Sequence, residues 1–276
     1  MPLDWNGLIL GVTGSFGSGC STLAYALEQL GFKTVSLSAE VRSEFQARQS
    51  TSKEGLKVTK GDDRKILQNL GNELRKKNGS DFWARKAVDT AKQTIDCSNA
   101  VFDGIRNSAE LVYLRNTFPN FLLITVWCPQ KKRFERVKSE YGGDWNTFEE
   151  DDKRDGNEEL EYGQQVQLCV DKADIVIRND ESHTPKAAAI QYLKNKIGEY
   201  IDLLKGKEVR PPHHDEVAMA IAYTSALRSL CLKRTVGAAI TTHSGVLISS
   251  GYNENPEPMF PCIMTYKYWV FSQTSG

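Results

Sequence analysis

A glycine-rich loop near the N-terminus contains the residues best suited to bind phosphate. Residues 14–21 read Gly-Ser-Phe-Gly-Ser-Gly-Cys-Ser and fit the pattern G-x-x-x-x-G-K-[ST], except that Cys20 stands where the pattern has lysine. Glycines allow successive backbone N–H groups to point at an anion, and a helix that begins at the loop adds its partial positive charge. The lysine would neutralise charge on a phosphoryl group in transfer. The loop therefore predicts phosphate binding with very little phosphoryl transfer; a turn that only packs a helix on a sheet is the alternative.

Ser21 and Asp103 are the side chains that would hold Mg²⁺ beside a bound nucleotide. Ser21 ends the loop, and Asp103 follows the apolar run Ala100–Phe102, so its carboxylate lies at the end of a predicted strand. Mg²⁺ prefers oxygen ligands of this kind. A structural hydrogen bond in the following turn is the alternative role for Asp103. The complete set of predicted nucleotide-binding residues is Gly14, Ser15, Gly17, Ser18, Gly19, Cys20, Ser21, Thr22, Asp103 and Arg106.

Five short predicted strands, most of them apolar runs, alternate with helical patterns over the first two hundred residues. The strands are residues 8–12, 33–37, 100–102, 121–127 and 173–177, and the predicted helices include 21–30, 63–76 and 81–92. Continuous apolar runs are typical of strands that are buried on both faces of a parallel sheet. Strands that alternate with helices predict an α/β fold with a doubly wound parallel sheet.

The composition argues against several classes of function. The chain has 276 residues with 35 Lys+Arg and 35 Asp+Glu, so its net charge is zero, and no general nucleic-acid binding is predicted. The longest apolar run, Phe121–Trp127, is too short to span a bilayer, so no membrane partner is predicted. The N-terminus does not resemble a signal peptide. Six scattered cysteines without C-x-x-C spacing indicate a reduced, cytoplasmic protein.

The chain changes character at residues 205–212, where Lys-Gly-Lys and Pro211-Pro212 interrupt the alternating pattern. The predicted organisation is an α/β domain over 1–206, a linker over 207–213 and a second part over 214–276. In the second part, apolar spacing predicts a helix from Val217 to Leu230, followed by strands at 236–241 and 246–250.

Three segments of the first part resemble P-loop nucleoside-monophosphate kinases, in the manner of dephospho-CoA and deoxynucleotide kinases. They are 64–72 (RKILQNLGN), 102–107 (FDGIRN) and 173–177 (ADIVI), and the resemblance covers roughly residues 7–205. It implies a nucleotide ligand with Mg²⁺ and a P-loop fold.

Further candidate ligand-binding residues follow from this resemblance. Arg64, Gln68 and Arg75 would lie near a nucleoside-monophosphate pocket, and Arg133, Arg136 and Arg154 would reach for phosphates from a lid. The segment 149–161, with eight acidic residues, is either part of this mobile lid or a solvated loop. Solvated helix faces are the alternative for the arginines.

Residues 214–256 resemble the opening of a deoxycytidylate (cytidine-type) deaminase domain. The resemblance rests on the helical run 215–232, the segment 233–240 and the segment 247–253. It implies that Asn253 contacts the sugar and that Arg234 contacts the substrate; a plain turn residue is the alternative for Asn253. A P-loop domain followed by such a domain is the layout of the anti-phage deoxycytidine-nucleotide deaminases of bacterial defence.

The zinc motifs of that family are incomplete in this sequence. A zinc deaminase needs H-x-E and P-C-x-x-C; His214 is followed by Glu216, directly before the predicted helix, but Cys262 after Pro261 lacks its second cysteine. Zn²⁺ is therefore expected for the full family domain but not for this chain, and no catalytic residue is assigned. We interpret the chain as truncated before the zinc half, with an atypical aromatic stretch at 259–271.

The resulting prediction is a deaminase-family protein of the antiviral type that acts as a nucleotide-binding or regulatory remnant. The alternative is a nucleoside-monophosphate kinase that uses ATP, against which the missing lysine argues. A third hypothesis is a non-enzymatic partner of full-length paralogues. Predicted partners are ATP or a deoxynucleotide, and a second copy of the chain or a full-length paralogue.

Overall fold

The computed structural model describes residues 5–51, 62–96, 98–180 and 186–255, without the side chains of residues 50, 51, 62–64 and 186. The chain divides into two compact units, Met1–Leu204 and Lys205–Gly276, called unit 1 and unit 2 below. In the described ranges no helix combines the length and the apolar character needed to cross a membrane. The predicted aromatic stretch at 259–271, with Cys262, lies outside the described residues.

Unit 1 is built on one five-stranded sheet. Its strands are β1 (Ile9–Thr13), β2 (Lys33–Ser36), β3 (Ala100–Asp103), β4 (Phe121–Trp127) and β5 (Ile175–Arg178). All of them pair in parallel, in the order β2-β3-β1-β4-β5, which confirms the predicted doubly wound parallel sheet. The chain passes from β1 to β2 and β3 on one side and then crosses to β4 and β5 on the other side, so the carboxyl end of β1 is the switch point at which ligands bind in open α/β sheets.

The helices of unit 1 lie between and after these strands. They are α1 (Cys20–Glu28), α2 (Leu37–Thr51), α3 (Asp62–Asn78), α4 (Phe82–Thr94), α5 (Ser108–Thr117), α6 (Gln130–Val137), α7 (Trp145–Gly156), α8 (Val166–Asp171) and α9 (Lys186–Leu204), with a 3₁₀ turn at Lys138–Tyr141. The predicted helices at 21–30, 63–76 and 81–92 correspond to α1, α3 and α4. The sequence did not predict α2, which begins directly after β2 without a loop. The acidic segment 149–161 is in part the helix α7.

Helices cover both faces of the sheet, because successive side chains along each strand point to opposite faces. Ile9 faces a core with α3, α4 and α5, whereas Leu10 and Val12 face a core with α1 and α9. Gly11 lies between Leu10 and Val12 in β1, and a Cβ added there would lie 2.4 Å from the ring of Phe121. Close packing therefore requires glycine here and supports the loop that follows β1.

A third apolar cluster joins this loop to α6 and α7. Phe16 packs with Phe134, Val137 and Phe148, and the ring centroids of Phe16 and Phe148 lie 5.1 Å apart. The position of the loop therefore depends on the packing of two helices that follow β4.

Unit 2, within its described residues, has one helix, α10 (His214–Ala226), and one antiparallel pair, β6 (Gly237–Thr241) and β7 (Leu247–Tyr252). The order helix, strand, strand is the predicted one, although α10 ends before the predicted Leu230. Gly237 lies so close to α10 that a Cβ would come within 1.8 Å of the carbonyl oxygen of Ala222. A relationship of this unit to deaminases stays a prediction.

Candidate functional site

The loop between β1 and α1 has the backbone that its glycines predict. Gly14, Gly17 and Gly19 adopt φ values of 150°, 76° and 110°, a region that residues with a Cβ rarely occupy. A Cβ on Gly19 would also lie 2.5 Å from Nδ2 of Asn179. The first-turn N–H groups of α1, at Cys20, Ser21 and Thr22, have no carbonyl partner within the helix. The loop thus brings unpaired donors and a helix N-terminus to one place, which is the physical requirement for binding phosphate.

Side chains hold the loop through its carbonyl oxygens. Nη1 of Arg136 donates to the carbonyls of Gly17 (3.3 Å) and Ser18 (3.2 Å), and Nδ2 of Asn179 donates to the Ser18 carbonyl (2.7 Å). Nη1 of Arg133 donates to the Phe16 carbonyl at 3.2 Å. Because these bonds occupy acceptors, they fix the loop without consuming its N–H donors.

Cys20 carries no charge in this site. Its half-buried thiol lies 3.3 Å from Oγ of Ser18. Burial, and next the negative charge of Asp103, raise the pKa of Cys20 to about 12. The thiol is therefore neutral at pH 7, and it supplies neither the positive charge of a lysine nor a reactive thiolate.

Asp103 ends β3 beside the loop and is 8% exposed. Its Oδ1 atom has no hydrogen-bond partner among the residues that the structure describes. Burial raises the pKa of Asp103, while the charges of Arg106 and Arg42 lower it. An orphaned carboxylate oxygen at this position fits Mg²⁺, which takes one or two carboxylates together with water and phosphate oxygens. The hydroxyl of Ser21, which lines the same cavity, fits as a second oxygen ligand.

No group of three or more His, Cys, Asp or Glu side chains that could hold a metal ion occurs in the part of the chain that the structure describes. A nucleotide-bound Mg²⁺ does not need such a cage.

Arg106 forms polar contacts with α7 and with the segment that follows α7. Its Nη1 atom bonds to the carboxylate of Asp155, on α7, and to Oε1 of Gln164 at 3.1 Å. The charge of Asp155 raises the pKa of Arg106. The guanidinium also lines the cavity, so it joins the loop region to the acidic segment, and its contact with phosphate stays a prediction.

The loop forms one wall of a cavity of about 1180 Å³. Leu37, Val41, Arg42 and Phe45 of α2 line it, as do Leu67, Gln68, Gly71 and Arg75 of α3. Asp103, Arg106 and Arg136 also lie on its walls. The cavity therefore extends from the phosphate-binding loop to the two helices that follow β2.

Most of the other predicted arginines already have partners. Arg75 bonds to Glu110 at 2.8 Å, and the two side chains are 5% and 0% exposed. Arg133 bonds to Asp152, and Nε of Arg154 donates to Glu158 at 2.7 Å. The side chain of Arg64 lies outside the described ones. Among the six lid and pocket candidates, Arg133 and Arg136 contact the loop itself, while Gln68, Arg75 and Arg136 line the cavity.

The two predicted substrate contacts of unit 2 lie together at the hairpin. Oδ1 of Asn253 accepts from the N–H of Val236 at 2.8 Å, and its Nδ2 donates to the Arg234 carbonyl at 2.9 Å. These bonds close the base of the β6–β7 pair. The side chain of Arg234 is exposed.

Sequence reasoning missed Arg42 and Asn179. Arg42 lies on α2, which was itself not predicted. Asn179 follows β5 directly, and residues at the carboxyl ends of parallel strands meet at the ligand-binding edge. That position is the signal that would have found Asn179.

Comparisons with known proteins identify relatives of this chain. No protein-family model matches the chain. A UPF0200 protein of Thermococcus kodakarensis is 32% identical over 197 residues, covering 69% of this chain and 98% of that protein. A UPF0200 protein of Thermococcus onnurineus has the same identity and coverage.

Two solved structures illustrate the structural comparison. A shikimate kinase from Bacteroides thetaiotaomicron covers 71% of this chain and 98% of its own, at 12% identity and a TM-score of 0.40. A dephospho-CoA kinase from Campylobacter jejuni covers 72% and 98%, at 20% identity and a TM-score of 0.38.

A parallel sheet with a positive-φ glycine loop at the carboxyl end of its central strand defines unit 1 as a P-loop α/β domain. The chain belongs to the UPF0200 family. The 197 matched residues exceed the whole of unit 2, so most of the match lies in unit 1.

Proposed function

We propose that unit 1 binds a nucleoside triphosphate at residues 14–21 and transfers its terminal phosphoryl group, slowly, to a small acceptor in the same cavity. The observation that carries the proposal is the continuity of that cavity from the loop to α2 and α3. Its volume of about 1180 Å³ lies above the usual size of a single small-molecule pocket, roughly 300–1,000 Å³, and leaves room for two ligands.

The proposed reaction needs few groups on the protein. An oxygen of the acceptor attacks the γ-phosphorus, the bond to the β–γ bridging oxygen breaks, and the acceptor's proton passes to solvent. Catalysis of this transfer is mainly positioning and electrostatic stabilisation. Bound Mg²⁺ would neutralise charge on the phosphates, and Asp103 and Ser21 are the residues that would hold it.

Positive charge at the cavity comes from arginines in place of the lysine. Arg136 holds the loop carbonyls at 3.2 and 3.3 Å. Arg42 lines the cavity, and no ion pair to it occurs among the described residues. Because neither side chain arises from the loop itself, we expect weaker stabilisation of the transferring group than a loop lysine gives.

A nucleotide sensor without transfer is the second candidate. The observation that favours it is the neutral Cys20: a thiol has no cationic form, and its pKa of about 12 excludes the thiolate at pH 7. A sensor would keep the phosphate-binding backbone and dispense with the transfer chemistry.

Two measurements on the full chain test the proposal. Calorimetry with ATP and Mg²⁺ should detect binding to the wild type. If no ATP binds, both candidate functions are contradicted. Transfer from γ-labelled ATP to a panel of nucleoside monophosphates and small hydroxy compounds should give slow, acceptor-dependent product. Binding without any transfer favours the sensor.

Deamination and an antiviral role rest on the sequence resemblance of residues 214–256 alone. No relative reported above is named as a deaminase, and the described contacts of Asn253 are with the hairpin backbone. These roles, the cytoplasmic location and the partnership with a second copy or a paralogue stay predictions.

A further inference from the structure

Gln68 is a buried side chain with unused hydrogen-bonding capacity. It is 6% exposed, and both Nε2 and Oε1 lack a partner among the described residues. Buried amide atoms are nearly always bonded in folded proteins, because an unsatisfied one carries the full cost of its lost hydration. Gln68 lines the cavity, so a ligand bound there would lie beside an amide that needs partners.

The neighbouring polar groups are already committed. Nε1 of Trp83 donates to the Gly71 carbonyl at 3.2 Å. Arg75 is bonded to Glu110 and to Oδ1 of Asn72 at 3.3 Å. The amide of Gln68 is therefore the uncommitted polar group on this stretch of α3, and it offers one donor beside one acceptor.

The surroundings of Gln68 favour a flat, apolar ligand body. Leu67, Val41 and Phe45 line the same cavity. Gly71, one helical turn after Gln68, presents bare backbone there: a Cβ would meet nothing closer than 3.8 Å. The absence of a side chain at position 71 leaves open space beside the amide, and aromatic faces such as Phe45 pack well on planar rings.

We propose that Gln68 recognises a nucleobase of the acceptor, through an adjacent donor and acceptor on the edge of the ring. A glutamine amide pairs in this bidentate way with a base that presents both groups. The inference rests on the proposed function, since it makes the phosphoryl acceptor a nucleoside-type compound. Sugar acids and polyols lack a planar edge of this kind, so they would not combine bidentate pairing with packing of a ring on the apolar lining.

The test compares AMP, CMP, GMP and UMP with ribose 5-phosphate, which keeps the sugar and phosphate but has no base. Binding to the full chain is measured by calorimetry in the absence of ATP. At least one monophosphate should bind more tightly than ribose 5-phosphate. The variant Gln68→Leu should weaken that monophosphate about 30-fold, as expected for two lost hydrogen bonds, and leave ribose 5-phosphate unchanged.

Two variants separate recognition from folding. Gln68→Leu removes two orphaned polar atoms, so its thermal midpoint should not fall. Gly71→Ala adds a methyl group that fits the protein but fills the space beside the amide, so it should raise the thermal midpoint and still weaken monophosphate binding. Gln191→Leu, at an exposed glutamine of α9 outside the cavity, is the matched control and should bind like the wild type.

The inference is overturned if ribose 5-phosphate binds as tightly as every monophosphate. It is also overturned if Gln68→Leu leaves the affinity for the monophosphate unchanged. Absence of monophosphate binding in the wild type would overturn it as well. Failure of ATP to bind would contradict the proposed function alone, because the monophosphate titrations contain no ATP.

Discussion

Cys20 is the residue that most limits the chemistry of the phosphate-binding loop. Its thiol occupies the position from which a lysine would reach the phosphates, yet the pKa of about 12 keeps it neutral. The orphaned oxygen of Asp103 lies close enough for its charge to raise that pKa. A cation at position 20 would therefore meet both a carboxylate and the bound phosphates.

Replacing Cys20 with lysine should strengthen the site. We expect Cys20→Lys to bind Mg²⁺-ATP about 10-fold more tightly, as for one added charge-assisted hydrogen bond, and to transfer phosphate faster. Calorimetry and the labelled-ATP assay measure the two effects. Cys20→Ser, which adds no charge, is the control, and equal affinities for the two variants would contradict a role for charge at this position.

Glycine at position 19 should be required for binding, not merely for folding. Gly19 and Gly31 both have positive φ, 110° and 88°, but a Cβ on Gly31 would meet nothing within 4 Å. Alanine at either position should cost about 1–2 kcal/mol of unfolding free energy from backbone strain. Only Gly19→Ala should also weaken Mg²⁺-ATP, by at least about 10-fold, because the clash with Asn179 displaces the loop.

Denaturant unfolding and calorimetry on both variants check this pair. If Gly31→Ala weakens ATP as much as Gly19→Ala does, global destabilisation accounts for the loss and the loop has no special part in binding.

At the level of the elements, the sequence predicted the strands better than the contacts between helices. The central strands β1, β3 and β4 are short, almost wholly buried apolar runs, and such a run is visible in the sequence alone. α2 was missed because it follows β2 without a turn and its sequence is mostly polar. The partner of Arg133 could not be predicted, since Asp152 is one of eight acids in one segment and only packing selects it.

The pair of Arg133 and Asp152 should hold α6 and α7 against the loop. Its side chains are 8% and 10% exposed, and Arg133 also donates to the carbonyls of Cys128 and Phe16. Removing one partner of a buried pair leaves an uncompensated charge, so Arg133→Met should lower the unfolding free energy by about 3–5 kcal/mol. Denaturant unfolding gives the value.

The double variant Arg133→Met with Asp152→Leu is the matched control. It has no unpaired charge, and we expect it to recover at least half of the loss. A double variant no more stable than Arg133→Met would mean that the ion pair contributes little and the backbone bonds of Arg133 dominate.

The start of α10 contains a carboxylate that should titrate at low pH. Arg210 donates two hydrogen bonds of 2.8 Å to Glu216, and the N–H of His213 donates at 2.6 Å. These donors, Arg210 first, lower the pKa of Glu216 from 4.5 to about 2. The folded state then binds its proton at lower pH than the unfolded state, so this contribution to stability is present above pH 4.5 and is lost as the pH falls toward 2.

Carbon-13 NMR of the Glu216 carboxyl measures this midpoint in the full chain. Arg210→Met should move it upward toward 4.5. An unchanged midpoint in Arg210→Met would assign the shift to the backbone donor instead.

At the scale of the whole molecule, the two units differ in how much of each is buried. Unit 1 has apolar cores on both faces of its sheet, with Leu10, Leu123 and Phe102 fully buried. In the described part of unit 2, only Ala222 and Ser229 are buried, while Ile240, Ile248 and Leu227 are 59%, 64% and 84% exposed. The composition break at residues 205–212 marked the division, but an average composition cannot show that one side lacks a core.

Unit 2 should therefore open far more readily than unit 1 in the intact chain. A two-stranded sheet is marginally stable in water, and one helix against it buries too little apolar surface to offset the chain entropy. Hydrogen exchange followed by mass spectrometry should show the amides of β6 and β7 exchanging at least about 100-fold faster than those of β1 and β4, which exchange only when unit 1 unfolds. Amide hydrogens that face solvent from an edge strand would also exchange quickly. The comparison therefore uses amides of residues paired within each sheet, such as Ile240 with Ser249 and Gly11 with Leu123. Equal protection in the two sheets would mean that the exposed apolar residues of unit 2 are covered in solution, and it would contradict the low stability argued from their exposure.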